Sequence, residues 1–293
     1  MQTRTFGNDT VGRVEVGAIG LGAMAFLQPE AKDRAQILRT IEAALDAGVT
    51  LIDTADAYGP DSAGADAQGQ NEELVAGILD ELGARDRVLL ATKGGHVRTD
   101  GGGWARDSTA RHLRESVDAS LRRLGVEQID LYQHHRPDPA IPYEDAMGTI
   151  KEIYEAGKAR MVGISNADPD QIRAARDILG DALVSVQNQF SPAFRSSEAE
   201  LQMADKLGLA FLPWSPLGGI GNAAGLGAEH AVFAEVANEL RVSPQQVTLA
   251  WMLAKSPLVI PIPGASRPES IQDSAAAAGV KLSDEQYSRL DAA

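Results

Sequence analysis

The sequence predicts an α/β protein closed into a (β/α)8 barrel of the TIM type, with a short N-terminal β-hairpin ahead of it. Three observations predict it. Eight short apolar runs rich in Val, Ile and Leu alternate with longer amphipathic stretches, the pattern of parallel strands joined by crossover helices. Glycines stand just past the helical stretches, at Gly48, Gly83, Gly125, Gly157 and Gly208, where a left-handed residue ends a helix. The 293 residues show no linker and no break in composition, so the eight units favour one barrel domain over residues 1–293.

Residues 3–6 and 14–16, split by a turn at 8–12, read as the hairpin. Strands are expected at 18–21, 50–53, 88–92, 129–133, 161–165, 183–187, 210–213 and 259–263. Helical patterns lie between them at 33–47, 71–82, 108–124, 143–156, 168–179, 197–207 and 244–255, with two more near 268–277 and 283–291. Ser108 reads as an N-cap. Asp168-Pro169 and Ser243-Pro244 set a capping side chain before Pro at the first helical position. Residues 60–70, rich in Gly, Ala, Ser and Asp, read as a long surface loop. Gly20-Leu21-Gly22-Ala23-Met24-Ala25 fits a dinucleotide fingerprint, but that motif must open directly into a helix, and Phe26-Leu27-Gln28-Pro29 follows. The segment therefore reads as the end of strand one, with Met24 and Phe26 lining a substrate pocket. Trp104, in the glycine-rich stretch 100–106, is a further pocket candidate. Trp251 reads as core and His96 as solvated loop.

Hydrophobic residues make up 44% of the chain, enough for a sizeable core. There are no cysteines, which excludes disulfides, thiolate zinc sites and thiol nucleophiles; no metal site is expected. Net charge is −14 and the basic residues are scattered, so neither nucleic acid nor an anionic membrane is an expected partner. No apolar run has the length of a membrane span, and Met1–Phe6 lacks the apolar stretch of a secretion signal. A cytoplasmic protein, monomeric or weakly oligomeric, is expected.

In such barrels the site lies at the carboxyl ends of the strands. There stand Asp53, Lys93, His134-His135, Ser165-Asn166, Gln187-Asn188, Trp214-Ser215 and Gly264-Ala265-Ser266-Arg267. Singly, each has a plain structural use: Asp53 as a turn cap, Lys93 as a solvated strand end, Tyr58 as packing. Together they make an acid. A charged Lys93 beside Tyr58 stabilises the phenolate and lowers its pKa, Asp53 balances the ammonium, and a histidine binds a substrate oxygen. Carbonyl reduction needs such a proton donor.

These residues resemble the aldo-keto reductase family. Asp53-Thr54-Ala55-Asp56-Ala57-Tyr58-Gly59 is similar to its Asp-Thr-Ala-x-x-Tyr-Gly signature, Ala91-Thr92-Lys93 to its lysine motif, and Ile129 to Pro137 to its Asp-Leu-Tyr-x-x-His-x-Pro strand. The match sets the catalytic histidine at His135, where alternation alone leaves His134 open. The resemblance implies that NADPH reduces a small-molecule carbonyl substrate. Tyr58 would protonate the oxygen, His135 would position it, and Lys93 with Asp53 would tune Tyr58. It also implies cofactor contacts: Ser165, Asn166 and Gln187 on the carboxamide and Trp214 on the nicotinamide. Ser215, Leu217 and Gly219 would hold the pyrophosphate, and Gly264, Ser266 and Arg267 the 2′-phosphate. Arg267 suits a phosphate, and no acid stands beside it to prefer a ribose hydroxyl.

Asp273-Ser274 departs from the family's Glu-Asn beside the adenine. The glycine-rich loop 218–227 is short. Residues 213–219 and 249–264 resemble bacterial pyridoxal reductases, which makes pyridoxal a specific candidate among general aldehydes. Two other readings use the same residues: a Schiff-base aldolase acting through Lys93, and a non-catalytic NADPH-binding subunit.

Overall fold

A computed structural model describes residues 1–27, 33–219 and 221–293. Strands β1 (Thr3–Phe6) and β2 (Val14–Gly17) pair antiparallel as the expected hairpin. The remaining strands are β3 (Leu21–Gly22), β4 (Leu51–Asp53), β5 (Leu89–Gly94), β6 (His96–Arg98), β7 (Trp104–Arg106), β8 (Ile129–His134), β9 (Ala159–Ser165), β10 (Leu183–Gln187) and β11 (Ala210–Phe211). Among the described residues, seven of them form one curled parallel sheet in the order β11-β10-β9-β8-β5-β4-β3. Residues 258–264 join its two edges. Ile260 N donates to Phe211 O (2.9 Å) and Ile262 N to Pro213 O (3.2 Å) on one side; Pro261 O and Pro263 O accept from Gly20 N and Gly22 N (2.9 and 3.0 Å) on the other. The approach is close: a Cβ on Gly22 would meet Ile262 O at 2.9 Å.

The helices are α1 (Arg34–Asp46), α2 (Gln70–Glu81), α3 (Ala110–Leu124), α4 (Tyr143–Glu155), α5 (Pro169–Leu179), α6 (Glu198–Lys206), α7 (Leu226–Glu229), α8 (Ala231–Leu240), α9 (Pro244–Lys255), α10 (Pro268–Ala276) and α11 (Asp284–Ala292). None among the described residues is long and apolar enough to cross a membrane. The five glycines expected after helices all take positive φ, between 58° and 86°.

The strands divide their side chains between two cores, as the period of two requires. Leu51, Leu89, Ala91, Leu131, Met161, Val184, Ile260 and Ile262 fill the concave face, which Phe6 and Val16 of the hairpin cover at one end. Ile52, Leu90, Tyr132, Val162 and Val186 face the helices. Trp251 lies fully buried in that outer layer.

Several local expectations are corrected. The N-cap of α3 is Thr109, whose hydroxyl accepts from His112 N; Ser108 instead turns its hydroxyl to His134. Asp168 and Ser243 cap as expected, Asp168 in a capping box with Gln171. The stretch 60–70 is not an open loop: residues Asp61–Ala67 form 3-10 turns, with Gly64 and Ala67 buried. The glycine-rich stretch 100–106 is half of a hairpin, because β7 pairs with β6. After β3 comes a 3-10 turn, Ala23–Leu27, and no α-helix opens there. Gln28 and Pro29, and Ile220 of the loop 218–227, lie outside the described residues.

Candidate active site

Alternation brings the polar strand ends to one rim. Leu51, Ala91 and Leu131 point into the concave core, so Asp53, Lys93 and Gln133, each two residues on, point the same way above it. His135 continues the face of Gln133. His134 falls on the outer face, where its Nε2 meets Ser108 Oγ at 2.8 Å and its ring lies edge-on to Tyr143. Tyr58 arrives from the loop after β4. Its amide donates to Ala55 O, and its carbonyl accepts from Asn71 N at the start of α2.

Lys93 is fully buried and spends all three ammonium protons. Nζ donates to Asp53 Oδ2 at 2.6 Å, to Thr54 O at 2.9 Å and to the Tyr58 hydroxyl at 3.2 Å. The other Asp53 oxygen accepts from Gln133 Nε2 (3.0 Å) and Gln187 Nε2 (2.8 Å). A buried ion pair is tolerable when its remaining lone pairs and protons are satisfied, and here they are. Gln187 reaches Asp53 although the β10 register shifts between Leu183 and Ser185. The His135 ring meets Tyr58 edge-on at 5.6 Å between centroids.

The electrostatics correct one expectation. Burial pushes the Tyr58 phenol above its ordinary range, and the opposing pull of Lys93 does not overcome it. Lys93 itself is raised: burial disfavours its charge, but Asp53 and Tyr58 more than restore it. Burial, then the Lys93 charge, holds His135 well below the usual histidine value. At neutral pH the rim therefore presents a protonated phenol, a neutral imidazole and a paired ammonium.

A cavity of about 1170 Å³ opens from this rim. Asp53, Tyr58 and His135 border it, as do Ser165, Asn166, Gln187, Trp214, Ser215, Leu217, Gly219, Gly264, Ser266, Arg267, Asp273 and Ser274. Lys93 lies beneath its floor. Asn166 and Ser215 hold positive φ (58° and 50°), a conformation uncommon for residues with a Cβ and frequent at binding sites. Asn166 Nδ2 donates to His135 O (3.0 Å) and Ser165 Oγ (2.9 Å), so these neighbours fix one another. Gln36 Nε2 ties down the Ser266 carbonyl at 2.6 Å. The Asp273 carboxylate is already engaged by Ser243 Oγ and Gln246 Nε2, and Ser274 is buried. Both border the cavity through what those contacts leave.

Met24 and Trp104 line the cavity, and Phe26 does not. The 3-10 turn sends Met24 and Ala25 toward the opening and Phe26 into the core, where it is 1% exposed. His96, read from the sequence as solvated, is half-buried in the β6–β7 hairpin. Its ring lies 4.9 Å from Trp104 and 4.7 Å from His135. Gln133, Arg106 and Arg136 also stand at this site, without being expected there from the sequence. Gln133 was accessible by counting two residues back from His135. Arg106 and His96 were not, because their hairpin shows no alternating apolar run.

The chain belongs to the aldo/keto reductase family: its sequence matches the family profile over residues 18–293. It is an oxidoreductase. It is 35% identical to an uncharacterised oxidoreductase of Schizosaccharomyces pombe over 97% of this chain and 89% of that one. It is 36% identical to the 6-dehydroglucose reductase of Novosphingobium aromaticivorans, over 86% and 84%. Among solved structures, it superposes on an aldo-keto reductase of Klebsiella pneumoniae in complex with NADPH with a TM-score of 0.81 and 28% identity, covering 100% of this chain and 95% of that one. The glycerol dehydrogenase of Gluconobacter oxydans gives a TM-score of 0.81 at 27% identity, over 99% and 94%.

Proposed function

We propose that this chain reduces aldehydes or ketones to alcohols with NADPH, and that Tyr58 delivers the proton to the carbonyl oxygen. The observation that carries the reading is the 3.2 Å contact between Lys93 Nζ and the Tyr58 hydroxyl at the edge of the cavity. A neutral His135 beside Tyr58 can donate one hydrogen bond to the same oxygen without competing as an acid. As the oxygen gains negative charge, the Tyr58 proton moves to it, and the Lys93 ammonium stabilises the phenolate left behind. Asp53, anchored by Gln133 and Gln187, keeps that ammonium in place.

The residues fit a bound NADPH. The cavity is large for a small carbonyl compound alone. Trp214 offers an aromatic face, and its buried indole Nε1 has no partner among the described residues. Arg267 is exposed at the N-cap of α10, where a phosphate is favoured by both the guanidinium and the helix terminus. When bound, NADPH supplies the hydride that adds to the carbonyl carbon.

The rest of the reading is a single domain in which residues 258–264 act as the eighth strand of a closed (β/α)8 barrel. A cytoplasmic location and a monomeric or weakly associating chain complete it. Pyridoxal is the specific substrate candidate. A Schiff-base role for Lys93 fits less well, since it needs a neutral amine and this one is held charged. A binding-only role leaves the Tyr58 proton donor without use. A panel of aldehydes and ketones with NADPH, followed by loss of nicotinamide absorbance, tests the proposal. Turnover that disappears in Tyr58→Phe supports it; binding of NADPH with no turnover of any carbonyl compound defeats it.

A further inference from the structure

The chain carries a net charge of −14, yet the wall of the cavity beyond Tyr58 and His135 is basic. Arg136 follows His135 directly and is half-buried; its guanidinium lies 5.9 Å from the centre of the Trp214 ring. Arg106, at the end of β7, donates to Pro137 O at 3.3 Å, which draws its guanidinium toward Arg136. Burial and then the Arg106 charge pull Arg136 below the usual arginine value.

Among the described residues, none of the acids bordering the cavity lies within ion-pair distance of either guanidinium. Asp138 lines the same wall, but its two oxygens accept Ala140 N (3.0 Å) and Ser108 N (3.2 Å). Asp61 pairs with Arg98 at 2.6 Å. Glu269 and Asp273 border the cavity from α10, and Asp273 already accepts from Ser243 and Gln246. Among the described residues, neither Arg106 nor Arg136 forms an ion pair. Two neighbouring guanidiniums, one of them partly desolvated, make an anion site with fork geometry suited to a carboxylate or a phosphate.

We propose that the carbonyl substrate is itself an anion, and that Arg136, assisted by Arg106, binds its carboxylate or phosphate while Tyr58 and His135 hold the carbonyl oxygen. This rests on the reductase reading. It adds a charge requirement at the far end of the substrate, which Met24 and Trp104, as apolar walls, do not supply. The β6–β7 hairpin borders the cavity through Trp104, Ala105 and Arg106, and the Arg98 guanidinium packs 4.1 Å from the Trp104 ring.

The test compares matched pairs of substrates on the full chain with NADPH. Pyridoxal phosphate is set against pyridoxal, and terephthalaldehydic acid against para-tolualdehyde. The expected result is a kcat/KM at least about tenfold higher for the anionic member of one pair, as charge-assisted contacts imply. In Arg136→Gln that ratio should fall about tenfold, mainly through KM of the anionic member. Arg136→Lys should keep part of it, and Arg114→Gln, an exposed residue paired with Glu152, should leave it unchanged. Preference confined to the first pair assigns a phosphate, and to the second a carboxylate. Ratios near one in the unaltered protein, or a ratio that survives Arg136→Gln, would overturn the proposal. If no member of either pair is reduced although another aldehyde or ketone is, this proposal falls and the reductase reading stands; if NADPH binds and no carbonyl compound of the panel is reduced, both fall.

Discussion

The ε-ammonium of Lys93 lies 3.2 Å from the hydroxyl of Tyr58 and is held there by Asp53 from the other side. Burial keeps the phenol protonated in the free protein; in the proposed mechanism the ammonium acts when the proton leaves. Tyr58→Phe removes that proton while preserving the ring. Carbonyl reduction should drop by about 10²–10⁴, the usual range for a general acid. NADPH affinity, read by fluorescence titration, should change little, because the hydroxyl faces the substrate side. Unimpaired turnover in Tyr58→Phe would remove it from the mechanism.

Lys93→Met leaves Asp53 as a buried charge without its counter-ion. Breaking such a pair costs about 3–5 kcal/mol, so the urea midpoint should fall sharply. Adding Asp53→Asn should recover part of that loss, since the residual charge disappears. A double variant no more stable than Lys93→Met alone would show that the pair is not the source of the cost.

Arg267→Ala should weaken NADPH by roughly 2 kcal/mol and NADH far less, as expected for a lost charge-assisted contact to the 2′-phosphate. Equal losses for both cofactors would place that phosphate elsewhere on the cavity wall.

Asp53, Lys93 and His135, the three residues around Tyr58, were legible because each sits in a short motif at the end of a strand, where the strand period fixes its direction; Tyr58 was legible from the motif that follows β4. Choosing His135 over His134 needed the resemblance; the structure supplies the physical reason, since Leu131 faces inward and fixes every second residue after it. The electrostatic sign at Tyr58 was not legible. Sequence shows that a lysine is near, but the depth of burial that outweighs it is a property of the closed fold. Phe26 departs from the expected pocket lining for a local reason: residues 23–27 turn instead of continuing the strand, and the turn exchanges which side chains face the opening. Arg106 and His96 belong to a hairpin of polar residues and glycines, a segment with no hydrophobic period to read.

Asp56 offers a pH-dependent signature outside the reacting groups. It is buried beside Glu72, accepts the Ser116 hydroxyl, and leaves Oδ1 without a partner among the described residues. Burial, then the Glu72 charge, raises its pKa from 3.8 to about 8. The folded chain therefore keeps a proton that the unfolded chain loses near the ordinary aspartate value. A state that binds more protons loses ground as they become scarce. Stability contributed at this site should thus be highest below about pH 4, fall progressively as pH rises toward 8, and level off above it. Asp56→Asn is neutral at every pH and keeps the shape, so it should flatten that slope and leave the variant relatively more stable at pH 8 than at pH 5. Urea unfolding of both proteins across this range measures it. Equal slopes would mean that Asp56 is ionised in the fold and that Arg123, which already pairs with Glu72 at 2.8 Å, neutralises both carboxylates.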